Sequence, residues 1–154
     1  MKEKITIFIL AIFFSLNMAA QSGWSLKDFP SDELKGIKGY TAYTYSDEKG
    51  SSLVMWDNSN NQFRITCDNG IFDYDVDHFV RVIIGFYDVN NNLTAKKEIS
   101  FFVPAGKSGQ ATYTGKRVTM MMKKLLLLGK GYVRIIAPLY GKDDYELDVP
   151  SMPK

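Results

Sequence analysis

The stretch "HFVRVIIGFYDVNNNLTAKKEISFFV", His78 to Val103, is the longest strand-like passage in the chain. "HFVRVIIGFYD" is almost continuously apolar and β-branched or aromatic, the pattern of a central strand with both faces covered. "VNNN" is a turn cluster, and "LTAKKEISFFV" returns as a long antiparallel partner. Lys96, Lys97 and Glu98 within the partner point to a solvated portion. An antiparallel ribbon of this length needs further strands to cover its apolar face, so the fold is sought on either side of it.

Upstream, the text supplies those strands. "YTAYTYS" begins at Tyr40 and closes on the turn "DEKG"; "SLVMWD" follows, then "NSNN", then "QFRITC" with clean period-2 alternation. "DNG" at 68–70 reads as a hairpin turn. Downstream the period changes. In "TGKRVTMMMKKLLLLGKG", Val118, Met121, Met122, Leu125 and Leu128 recur at helical spacing, which predicts one α-helix near residues 115–128. Thr114 is the candidate N-cap, and Gly129 or Gly131 the candidate stop. "YVRIIAP" and "YELDVP" are two more strands, the last with Tyr145, Leu147 and Val149 on one side. The expected fold class is mostly β: an antiparallel β-sandwich or open barrel carrying one helix, as a single domain over residues 40–150. Residues 21–39, which contain Pro30, Gly23, Gly36 and Gly39, read as a lead-in segment.

The first twenty residues have the pattern of a secretory signal peptide. Lys2 and Lys4 precede the apolar run "ITIFILAIFFSLNMAA", which ends on small residues, so cleavage is expected between Ala20 and Gln21. Ser15 and Asn17 interrupt the run, unlike a transmembrane anchor. No later run is long enough to span a bilayer, so no stable span is expected after cleavage. Cys67 is the single cysteine, and it alternates with Phe63 and Ile65, the position of a small core residue. An exported chain without a disulfide framework suggests a periplasmic or secreted protein of a Gram-negative bacterium. Without Lys2, Glu3 and Lys4 the formal net charge is +1, and no basic stripe interleaves with aromatics. Nucleic acid is accordingly not an expected partner.

Several chemistries can be weighed by spacing. "PAGKSG" at 104–109 carries the Gly-Lys-Ser of a phosphate-binding loop. The loop's first glycine would fall on Phe101, however, and "GQATYTG" follows where a helix should open. It reads as a polar connector, with Pro104 ending strand pairing. "DYDVDH" places Asp73, Asp75 and Asp77 at alternate positions, as at the start of a calcium loop. His78 stands where that loop needs glycine, and Ile84 where it needs a bidentate glutamate. A calcium site of another kind from the three aspartates is the only cofactor the sequence admits, and a solvated acidic loop is the commoner role. One His and one Cys cannot supply a zinc centre. A triad would have to centre on His78, beside which no nucleophile elbow stands. Paired carboxylates drawn from Asp143, Asp144, Glu146, Asp148 or the earlier aspartates leave open a small carbohydrate-active or cell-wall hydrolase.

Aromatic residues support a binding reading. Tyr40, Tyr43, Tyr45 and Trp56 lie on the first two expected strands, where exposed rings would hold sugars or peptides and buried ones would fill the core. Because neighbours on a strand face opposite ways, Tyr40 and Tyr43 cannot both point inward. The expected function is a non-catalytic binding or accessory module whose ligand the sequence does not identify, with a glycan or another envelope protein as candidate partners.

The succession "VRVIIGFYD", "VTMMMKKLLLLGKG", "YVRIIAPLYG" and "YELDV", spanning about Phe79 to Pro150, resembles small exported bacterial β-sandwich proteins of the invasion-associated locus B and VasI-like families. The resemblance implies a non-enzymatic envelope or secreted accessory protein and assigns no site residue. The disulfide cysteines common in the first family have no counterpart here.

Overall fold

A computed structural model describes residues 23–36, 38–57, 61–106 and 109–154. The described residues form nine antiparallel strands and one α-helix. The strands are β1 (Gly23–Phe29), β2 (Tyr40–Ser46), β3 (Ser51–Asp57), β4 (Gln62–Cys67), β5 (His78–Tyr87), β6 (Leu93–Val103), β7 (Gln110–Thr114), β8 (Tyr132–Ala137) and β9 (Tyr145–Pro150). The helix α1 spans Lys116–Leu126, between β7 and β8. All nine strands belong to one sheet in the order β1-β2-β3-β4-β7-β6-β5-β8-β9. The sheet curls but does not close: β1 and β9 share no ladder, and the indole N–H of Trp24 donates across the gap to the Pro150 carbonyl at 2.7 Å. Of the two architectures the sequence allowed, this is the open barrel.

Alternation along the strands builds the interior. Leu53 and Met55 of β3, Phe63 and Ile65 of β4, Val82 and Ile84 of β5, Phe101 of β6, Ile135 of β8 and Leu147 of β9 are buried in one cluster. Each such side chain contributes roughly 1.5–3 kcal/mol of transfer free energy. The β5–β6 ribbon pairs from His78↔Val103 to Tyr87↔Leu93, and the Asp88 carboxylate organises its turn by accepting the N–H groups of Asn90 and Asn92, both at 2.9 Å. These N–H groups, that of Asn92 foremost, hold the Asp88 carboxyl below its ordinary pKa. Among the described residues β6 and β7 share only the pairing Phe102↔Thr112, the shortest ladder in the sheet.

Both ends of the barrel are plugged. At one end the loop 68–77 crosses with Ile71 and Phe72 buried, the Phe72 ring 5.0 Å from that of Tyr145. At the other end α1 buries Val118, Thr119, Met122 and Leu126. Gly115 stands at the N-cap without a side-chain bond; Thr114 closes β7 instead. The helix stops in a Schellman arrangement: Gly129 has φ +66°, and Lys130 N–H donates to the Leu125 carbonyl at 2.8 Å.

Four expectations change. The lead-in 21–39 contains β1, which pairs with β2 along its whole length, and a 3-10 turn at Glu33–Lys35. "DNG" does not make a hairpin, because β4 pairs next with β7 and the chain crosses the barrel end to reach β5. There Asn69 Oδ1 accepts from Ile71 N–H at 3.1 Å, turning Ile71 and Phe72 inward. β5 is central within the sheet, flanked by β6 and β8, but its outer face is not covered throughout: Phe79 is 66% exposed. The helical stripe is rotated, with Thr119 and Leu126 buried and Leu128 exposed. The turn "NSNN" lies largely outside the described residues.

Candidate functional site

Register decides which rings face outward. Tyr43 pairs with Met55 and Tyr45 with Leu53, and both partners are core residues. Directly opposed residues share a face, so Tyr43 and Tyr45 lie inward, packed against the core. Burial, then the carboxylates of Asp47, Asp148 and Glu48, raise the Tyr45 phenol pKa. Alternation with Tyr43 and Met55 puts Tyr40, Ala42 and Trp56 on the opposite, outer face, since Ala42 pairs with Trp56 and Phe29 with Tyr40; Ala42 is buried there but lies outside the core cluster. The four sequence-selected aromatics therefore divide two and two.

The outward pair belongs to a larger arrangement. Phe29 and Tyr40 are stacked at 4.5 Å with planes 15° apart, and the Lys27 ammonium sits 4.9 Å from the Phe29 ring. Trp56 lies one strand across, with the Arg64 guanidinium 5.2 Å above its ring. Arg64 is aimed by a bond from Nη1 to Gln110 Oε1 at 3.2 Å, while its shielded Nε has no hydrogen-bond partner. The row continues through Thr112 to Phe102 and Phe79, whose rings are 5.5 Å apart and exposed. Beside the Phe29–Tyr40 stack, Pro30, Asp32 and the wholly exposed Leu34 complete a cleft of about 580 Å³. That volume falls in the range of small-ligand sites. Flat apolar surfaces flanked by guanidinium, ammonium and amide donors suit a ligand that offers both C–H faces and hydroxyls.

The acidic stretch has a different job. Asp73 Oδ1 accepts Gly109 N–H at 2.8 Å, and Asp77 Oδ1 accepts Ala105 N–H at 2.9 Å. Gly106 N–H donates to the Tyr74 carbonyl at 3.1 Å. The carboxylates thus clamp the loop after β6. Among the described residues no three metal-type side chains gather, so Asp73, Asp75 and Asp77 do not form the calcium cluster that their spacing left open. Lys107 and Ser108 of "GKS" lie outside the described residues.

The other acidic candidates spread over the β8–β9 hairpin. Asp148 is held by Arg134 through two 2.7 Å bonds, and Asp144 accepts from Leu139 N–H at 3.3 Å. Glu146 shares the outer face of β9 with Asp148, and Asp143 is exposed. His78 opens β5 with its imidazole stacked on Tyr74 at 4.5 Å.

Sequence reasoning did not single out a second, smaller cavity of about 170 Å³ at the acidic barrel end, bordered by Ser51, Cys67, Asn69 and Tyr145. Cys67 Sγ–H points to Asn69 Oδ1 at 2.7 Å. The Tyr145 hydroxyl is buried and has no hydrogen-bond partner. Burial, then Cys67 and Asp47, push its pKa far above the ordinary phenol value, Ser51 pulling weakly the other way without hydrogen-bond geometry. Phe29 was also passed over, because its strand was not recognised.

No protein-family model matches the chain, and no curated protein or solved structure is significantly similar to it.

Proposed function

We propose that the protein is an exported, non-catalytic binding module whose ligand is a glycan. It would be seated on the outer-face rings around Phe29, Tyr40 and Trp56. The observation that carries this reading is the co-location of Tyr40 and Trp56 with Phe29 and Arg64 on the face away from the core, beside the 580 Å³ cleft. Those rings are surplus to core filling, since Leu53, Met55, Phe63 and Ile65 already fill the interior behind them. The leader-like residues 1–20 support export. Titrating the chain from Gln21 onward against soluble glycan and peptidoglycan fragments tests the reading. Saturable binding without product release is expected. Product release would replace the module with a carboxylate-dependent hydrolase, and silence across the panel would refute the glycan.

A further inference from the structure

We infer that the outer face of α1 docks on an anionic phospholipid bilayer. This surface is separate from the aromatic band and does not depend on the glycan reading. α1 turns Val118, Met122 and Leu126 to the core, which leaves Arg117, Met120, Lys124 and Leu128 on the far side. Met120 is 51% and Leu128 57% exposed. With half-buried Met121 and Leu127 they border a shallow apolar groove of about 500 Å³. Apolar side chains set among cations are the composition of a helix that lies in a headgroup layer. Eleven residues make a helix about 16 Å long, far short of a bilayer's hydrocarbon thickness, so α1 would lie along the surface.

Charge says what covers the face. From Gln110 to Val133, around α1, the sequence holds five Lys or Arg and no Asp or Glu. Lys116, Lys124 and Lys130 join Arg117 as exposed cations on and just beyond α1. The helix-end connectors 30–39 and 88–92 carry Asp32, Glu33 and Asp88 against Lys35 and Lys38. The barrel end away from α1 is the more acidic: its connectors 47–50, 68–77 and 138–144 carry eight carboxylates against two lysines. Those connectors are tied together there: Asp68 N–H donates to the Gly50 carbonyl, and Lys142 Nζ donates to the carbonyls of Ile71 and Asp73. α1 is tied to the opposite end through Thr119 Oγ1–H donating to the Asn61 carbonyl at 2.9 Å. A molecule polarised in this way would turn its helix toward an anionic surface and its carboxylate end away from it.

The test is cosedimentation of the chain from Gln21 onward with vesicles of phosphatidylcholine, either alone or with about one-third phosphatidylglycerol. Partition onto the phosphatidylglycerol vesicles alone is expected, reversed by salt of roughly 0.5 M, where screening is strong. Each surface cation is worth about fivefold in partition, so Arg117→Glu with Lys124→Glu should lose at least about 25-fold. Met120→Asp with Leu128→Asp, also at exposed positions, should abolish insertion. No partition onto phosphatidylglycerol vesicles, equal partition onto phosphatidylcholine alone, or indifference to both double variants would overturn the inference. Salt-sensitive capture of polyglutamate that survives Met120→Asp with Leu128→Asp would assign the face to an acidic protein and overturn it too.

Discussion

Two faces of the same β2–β3 ribbon carry rings of similar size with opposite roles. Inside, Tyr43 and Tyr45 lean on Met55 and Leu53 and extend the core. Outside, Tyr40 and Trp56 stack with Phe29 and Arg64 and face the cleft beside β1. The strands "YTAYTYS" and "SLVMWD" place aromatics on both faces, and pairing register alone sorts them. A ring's chemistry does not reveal whether it is used for folding or left for recognition. Its partner across the ladder does, because a side chain directly opposite a core residue must share the core face.

Substitutions should separate the faces by size of effect. Phe63 is fully buried between Phe101 and Tyr113, at 5.3 Å from each ring. Phe63→Ala should cost about 3–5 kcal/mol in a denaturant titration. Tyr43→Ala, at the half-buried margin of the same face, should cost about 1–2 kcal/mol. A loss no larger than that of an outer-face variant would break the inner assignment. Tyr145→Phe removes a buried, unpartnered hydroxyl and should stabilise the protein by about 1 kcal/mol. Its pH dependence sharpens the point. The folded-state pKa lies above the unfolded value of 10.0, so this side chain's contribution is intact below about pH 10 and is lost as pH rises beyond it. Alkaline melts should show wild type losing stability faster than Tyr145→Phe. A destabilised Tyr145→Phe would mean that the hydroxyl is bonded in solution. The smallest stability effect belongs outside: Trp56→Ala should change stability by no more than about 1 kcal/mol, the worth of its contact with Arg64.

Apart from the short β7, which reads only as sequence following a connector, the strands from β2 onward were legible because their alternation, their turns and the apolar β5 agreed with one another. β1 was not, since "GWSLKDF" is an edge strand whose middle is exposed and whose alternation over Trp24–Lys27 is short and breaks at Asp28. The "DNG" turn misled because local turn chemistry was real, yet the burial of Ile71 and Phe72 sent the chain across the barrel end. The helix was legible in place and length but rotated in phase. Thr119 is buried by bonding its hydroxyl to the carbonyls of Asn61 and Gly115, so a hydropathy stripe passes over it. Half of the candidate aromatic site could be read from residue type, and its membership could not, because parity depends on which residues pair. The aspartates of 73–77 were visible as a group, while their partners at Ala105 and Gly109 lie a strand away.

The central claim is that the outer rings recognise a ligand and the inner rings do not. Its most direct test is a calorimetric titration of wild type, Trp56→Ala and Tyr43→Phe with the tightest-binding glycan of the panel. The account predicts at least about a tenfold loss of affinity for Trp56→Ala, equal to about 1.4 kcal/mol, and wild-type affinity for Tyr43→Phe. Unchanged affinity in Trp56→Ala, or an equal loss in Tyr43→Phe, would contradict it.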